Sequence, residues 1–289
     1  MIHVNALLAL SAALLWGGGD FSGGMGVGAA GGKTGSALRV VMLSHISSFS
    51  VLLAIVLLRR EALPHGAPLA WGLLAGFCGG VSLTCFYMAL SRGAMGASAA
   101  VSGLLAAAIP AVVSMAIEGA PTALRVAGFL FAAVAIWMIA AGPSQQHAER
   151  STMILATIAG IGFGVYFVAL RMANPLGVFM PMTLARIGSL ITCGVTFLFL
   201  ASRGALGGST KMTRRAALWA LSAGALDTSG NLLFVLATRV GRLDVAAVLA
   251  SLYPASTIVL AGWLLHERLS RRQWLGMAVA ACSVVMITL

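Results

Sequence analysis

Apolar runs of about twenty residues alternate along this chain with short clusters of charge, proline and glycine. A helix rising ~1.5 Å per residue needs about 20 apolar residues to cross roughly 30 Å of hydrocarbon. Ten segments meet that requirement, near 4–22, 35–58, 68–91, 95–117, 123–142, 151–171, 178–200, 215–238, 243–265 and 272–288. The separators are Arg59-Arg60-Glu61 with Pro64, Arg92-Gly93, Pro121, Pro143 through Arg150, Asn174-Pro175, Arg203 through Arg215, Arg239 through Asp244 and His266 through Arg272. The pattern predicts an all-α integral membrane protein of ten transmembrane helices with short loops and no soluble domain. The first run lacks a basic leader and an A-x-A cleavage site, so it is expected to be a retained helix.

Composition agrees. Of 289 residues 60% are hydrophobic and 9% charged, with a mean hydropathy of +1.00, against roughly 45–50% apolar and 25% charged in a soluble domain. The net charge of +11 comes from basic residues placed singly or in pairs at the ends of apolar runs. That placement fits anchoring at lipid headgroups, and no nucleic-acid partner is expected. Cys78, Cys85, Cys193 and Cys282 lie inside apolar runs without a CxxC pair and are expected to be small core residues.

The most polar linker, 143–150, divides the chain into candidate halves 1–142 and 151–289. Trp71 and Trp219, Gly76 and Gly224, Phe86 and Phe234, Ala89 and Ala237, and Gly128 and Gly276 are each separated by 148 residues, and Arg39 and Arg186 by 147. An odd number of spans per half makes the halves enter the membrane in opposite senses. Such a fold has two inverted five-helix repeats around a central cavity, with a substrate site near the midplane and alternating access.

The chain resembles the drug/metabolite transporter superfamily of the EamA type, and within it the YddG-like amino-acid exporters. The residues that carry this are Trp16-Gly17, Arg39 and Arg186 in matching second helices, and the run from Tyr253-Pro254 through His266-Glu267-Arg268-Leu269-Ser270 to Trp274-Leu275-Gly276. His266 stands where that family's turn has a glycine. The resemblance implies ten helices, a cavity between the halves, and inner-membrane export of amino acids or other metabolites.

Ionisable residues inside hydrocarbon cost roughly 2.5–3.5 kcal/mol near a helix centre, so each requires a reason. Asp227 and Asn231, one turn apart in the eighth segment, are candidates for a polar station that contacts a substrate amine or takes up a proton; the alternative is an interhelical hydrogen bond. Asp20 sits near the end of the first segment, within reach of headgroup water. Arg39 and Arg186 either bind a carboxylate or snorkel and tie the repeats together. His45, among Ser44, Ser47 and Ser48, is read as an interhelical hydrogen bonder, and Glu118 and Glu267 as helix-ending acceptors. Trp16, Phe86, Tyr87, Phe163, Tyr166 and Tyr253 are candidate cavity aromatics, with an apolar body and, in Tyr and Trp, a polar tip. Trp71, Trp219 and Trp274 start their helices and suit the interfacial belt. Pro110 and Pro254 are expected inside helices as hinges.

The stretch from Gly28 to Thr34 imitates a phosphate loop, but Val27 stands where the first glycine is needed, so it is expected to be a flexible connection. With no HExxH or G-x-S-x-G there is no enzyme motif, and neither metal nor cofactor is expected. Basic residues number six on the side of the termini and ten on the other. That count places the termini outside, whereas the resemblance places them in the cytoplasm. The leading expectation is an exporter of neutral and aromatic amino acids acting as a monomer in the bilayer. The alternatives are efflux of drugs or other metabolites, and a non-transporting receptor or assembly factor.

Overall fold

The computed structural model describes residues 2–91, 95–140, 149–207, 212–264 and 269–289. Among them are eleven α-helices, one short 3-10 turn and no strand. The helices are α1 (Ile2–Ala29), α2 (Thr34–Leu58), α3 (Gly66–Ser91), α4 (Met95–Glu118), α5 (Ala123–Ala140), α6 (Arg150–Met172), α7 (Phe179–Ser202), α8 (Arg214–Val240), α9 (Leu243–Ala250), α10 (Tyr253–Leu264) and α11 (Arg271–Thr288). Most of the polar linker, the Arg92-Gly93 connection and the His266-Glu267-Arg268 turn lie outside the described residues. Among the described residues nine spans, with α9 and α10 forming one of them, are long and apolar enough to cross a membrane. The tenth expected span, α11, has only 18 residues and opens on Arg271, Arg272 and Gln273.

Two segments differ from the sequence expectation. First, α1 continues to Ala29, through Gly23, Gly24, Gly26 and Gly28, so the expected flexible connection begins later than Gly28. In hydrocarbon an amide has no partner but its own helix, which outweighs the weak helix propensity of glycine. Second, the ninth span is discontinuous: α9 ends at Ala250, Ser251 and Leu252 form a turn, and α10 begins at Tyr253. Pro254 therefore stands at the second position of a helix, where its missing N–H costs nothing. The expected mid-helix hinge at Pro254 is thus replaced by an interruption just before it, while Pro110 does lie inside α4.

Packing is inside-out relative to a soluble protein. Ala9, Ala12, Ala132, Ala159 and Ala246 are fully buried, while Leu14, Leu130, Leu198 and Trp263 are exposed on the outer surface. Lipid solvates large side chains as well as protein does, so helices associate through small residues that let backbones approach. A Cβ at Gly76 of α3 would stand 2.2 Å from the Ala185 carbonyl oxygen of α7, and one at Gly224 of α8 would stand 2.6 Å from the Ser44 carbonyl oxygen of α2.

The contacts are reciprocal between the halves. Helix α1 packs on α8, as α6 packs on α3; α2 packs on α8, as α7 packs on α3; and α1 packs on the ninth span, as α6 packs on α4. Gly128 of α5 closes on Ile287 of α11, and Gly276 of α11 closes on Ile139 of α5. Both members of that second contact lie 148 residues beyond or before their counterparts.

The helix ends nearest the N-terminus are tied by a polar cluster. Glu118, the last residue of α4, accepts from the Leu243 amide at 2.8 Å, from Ser114 at 2.6 Å and from Arg171 at 2.9 Å. Arg242 bonds the carbonyls of Glu118 and Gly119 and the Asp244 carboxylate. Asn5 of α1 donates to the carbonyl oxygens of Ala237 and Arg242. The structural role expected of Glu118 is thus visible, and Asp244, which is fully buried, joins it.

Candidate functional site

A cavity of about 70 Å³ lies at mid-depth between the helices. Its lining includes Trp16 and Asp20 of α1, His45 of α2, Gly76, Gly79, Leu83 and Phe86 of α3, Phe163, Tyr166 and Phe167 of α6, Arg186 and Ser189 of α7, Asp227 and Asn231 of α8, and Tyr253 at the start of α10. The glycines of α3 make the room: a Cβ on Gly79 would stand 3.2 Å from the Tyr166 ring.

Aromatic rings form one wall. Trp16 stacks on Phe167 with centroids 5.1 Å apart and planes 7° from parallel, and Phe167 meets Phe234 at 4.7 Å. Phe86 meets Phe163 edge-on at 5.9 Å. Gly230 of α8 leaves space for the Trp16 indole, since a Cβ there would come within 2.6 Å of its ring.

The polar wall is a connected set. Arg186 donates through Nη2 to the Asp227 carboxylate at 2.5 Å and to Thr228 Oγ1 at 2.8 Å. Asn231 donates to the Asp227 carbonyl at 2.8 Å and accepts from the Tyr166 hydroxyl at 2.7 Å. His45 Nδ1 and Ser189 Oγ share a hydrogen bond of 2.8 Å. A buried guanidinium is tolerable only with an anion beside it, and Asp227 supplies that anion. Asp227 and Asn231 lie on one face because residues four apart on a helix do.

Several expectations change here. Asp20 does not sit at the headgroup end of its helix: because α1 runs on to Ala29, Asp20 lies within the span and faces the cavity. Arg39 does not join its repeat partner Arg186 at the cavity; its guanidinium lies over the Phe197 ring at 5.6 Å. Tyr87 is buried outside the cavity lining, its hydroxyl filling the space beside Gly23 of α1. Pro110 and Pro254 also lie outside that lining. Trp16, Phe86, Phe163, Tyr166, Asp227, Asn231, Tyr253, His45 and Arg186 are brought together. Ser189 and Phe167 were missed: Ser189 is one turn from Arg186 and readable by spacing, whereas nothing in the sequence separates Phe167 from other membrane phenylalanines. Among the described residues no group of three or more His, Cys, Asp or Glu side chains is placed to hold a metal ion.

A second hollow lies at the helix ends near Glu118, lined by Arg171, Asn174 and Arg239. There Arg239 donates to the carbonyl oxygens of Asn174 and Gly177.

Residues 150–289 match the model of the EamA-like transporter family. No curated protein matches the chain. Among solved structures, one described as "Crystal structure of protein" is similar over 99% of this chain and 98% of that chain, with a TM-score of 0.78 at 17% identity. The fold of the whole chain is therefore that of a known structure, and its second half resembles a family of multi-span transporters.

Proposed function

We propose that the chain is an inner-membrane exporter of amino acids, with neutral and aromatic substrates, that works as a monomer by alternating access. Two oppositely threaded five-span halves, 1–142 and 151–289, enclose its passage. The observation that carries this reading is the Arg186–Asp227 pair in an aromatic-walled cavity between helices of membrane-spanning length, where charge is costly. A chain has little reason to maintain such a set in lipid unless polar cargo passes there. The match of residues 150–289 to a transporter family and the reciprocal packing of the halves support it.

The cavity volume of about 70 Å³ compares with ~30 Å³ per water in the liquid, so this form has room for a few waters and is too narrow for an amino acid without widening. Cargo enters when the halves part and leaves when they part on the other side.

Purified protein in liposomes passes labelled neutral and aromatic amino acids above empty vesicles. Inert liposomes across a broad amino-acid panel would remove the reading. Efflux of a drug or other metabolite is the second reading, favoured by two carboxylates, Asp20 and Asp227, in one cavity; inhibition by organic cations but not by amino acids would select it. A receptor or assembly factor would hold its ligand sealed from both aqueous sides in every state.

A further inference from the structure

The cavity contains an acceptor and a donor that the protein does not match. Asp20 lines it, half-buried, and its carboxylate has no hydrogen bond or ion pair among the described residues. The titratable groups of the neighbouring helices that interact with it include Asp227 of α8, Tyr87 of α3 and Tyr253 of α10, and none of these three is a cation. The hydrogen bonds of Arg186 leave from Nη2 towards Asp227 and Thr228, none of them towards Asp20.

Arg186 is itself under-used. Its side chain is 4% exposed, and a guanidinium carries five N–H donors in a rigid fork. Among the described residues Nε is buried without a hydrogen bond, and the Asp227 contact is end-on through a single nitrogen rather than bidentate, so the rest of the fork meets a ligand as the cavity widens to admit it. An unpaired carboxylate calls for a cation, and a guanidinium with idle donors calls for an oxyanion.

From these two mismatches we propose that the cavity recognises a zwitterion from both ends: Asp20 takes the ammonium group of the ligand, and Arg186 takes its carboxylate. This rests on the transport reading above and names the residues that choose the substrate class. Asp227 is then a positioning residue that holds the Arg186 fork in place. The aromatic wall of Trp16, Phe163 and Phe167 accepts the apolar side chain between the two ends. A ligand missing either end leaves one buried ionic group without its partner, which is how a polar site rejects close analogues.

The experiment uses full-length protein in detergent and three probes of one shape: phenylalanine, phenylalanine amide and 3-phenylpropanoate. Wild type binds phenylalanine at least tenfold more tightly than either analogue. Asp20→Asn, nearly identical in shape, weakens phenylalanine at least tenfold while leaving 3-phenylpropanoate within about threefold of wild type, so the discrimination disappears; Asp20→Glu restores part of it. Unchanged discrimination in Asp20→Asn, or wild-type protein that binds phenylalanine amide as well as phenylalanine, would overturn the proposal. Should Asp20→Asn fail to fold, the three-probe comparison on wild type decides whether both ends are read, and a shift of that discrimination in Asp20→Glu decides whether Asp20 reads the ammonium; no shift there would overturn the assignment. Transport of the broad amino-acid panel by wild-type liposomes is measured alongside: if none passes, the transport reading falls, and if some pass while discrimination is absent, only the two-ended recognition falls.

Discussion

Arg186 of α7 and Asp227 of α8 meet at 2.5 Å in the middle of the helix bundle, and neither has another oppositely charged partner among the described residues. The sequence leaves Asp227 open between a polar station and an interhelical bond, and Arg186 between a carboxylate site and a residue that snorkels or ties the repeats; the structure joins the two to each other.

Removing the carboxylate strands the arginine. Asp227→Asn is expected to destabilise the protein by on the order of 3 kcal/mol, the low end for a broken buried pair because Asp227 keeps about a third of its side chain exposed to the cavity. The check is thermal unfolding in detergent. Arg186→Met with Asp227→Leu is expected to regain part of that loss, and an unaltered midpoint in the single variant would deprive the pair of its structural role.

The close approach of α3 to α7 gives a second expectation. Gly76→Ala places a methyl 2.2 Å from the Ala185 oxygen, which cannot be relieved without separating two backbones, and the yield of folded protein should collapse. Gly194→Ala, where a Cβ meets nothing within 4 Å, should instead gain up to about 1 kcal/mol from helix propensity. Equal yields from the two would mean that the α3–α7 contact is not tight.

At the end of α4, Glu118 holds an amide, a hydroxyl and a guanidinium at once. Glu118→Ala is expected to cost about 1–3 kcal/mol, and Glu118→Gln less, because the amide side chain still accepts a hydrogen bond. Unfolding midpoints at low and high salt measure this: the wild-type advantage should shrink as salt rises.

Opposite threading of the halves is tested from outside the cell. The connection after α2 and the connection after α7 occupy matching places in the two halves, so cysteines introduced at Arg60 and Gly204 should react with an impermeant maleimide from opposite faces. Labelling of both from one face would dismiss the inverted arrangement.

Much of the architecture was legible in the sequence because bilayer thickness sets helix length and composition reports the solvent. Span positions agree to within a few residues except at α1 and the ninth span. The two exceptions have different causes: the glycines after Asp20 carry the turn signal they have in water, whereas Pro254 reads as a mid-helix residue because the apolar run continues across it. In a dry interior the glycines are packing surfaces for Tyr87 and Trp219, and the proline opens a helix rather than bending one. The cavity aromatics on α1, α3 and α6 could be found because aromatics are scarce. The ion pair could not, because it joins residues on two helices whose relative rotation depends on every packed glycine between them. Arg39 shows the limit of repeat logic: it matches Arg186 in register, yet α3, the helix equivalent to α8, carries no Asp or Glu in its sequence.

The glycine contacts also decide where the molecule can bend. Helices α3 and α7, joined backbone to backbone at Gly76 and Gly188, and helices α1 and α8, keyed by the Trp16 ring against Gly230, each turn as one block, because sliding either pair would drive atoms into one another. The seam between α4 and α9 is of another kind: a carboxylate resting on a helix end tolerates a change of angle and can be released and remade. In the transport cycle proposed above, the blocks would swing about that seam, with the Glu118–Leu243 contact as the tether that opens and re-forms.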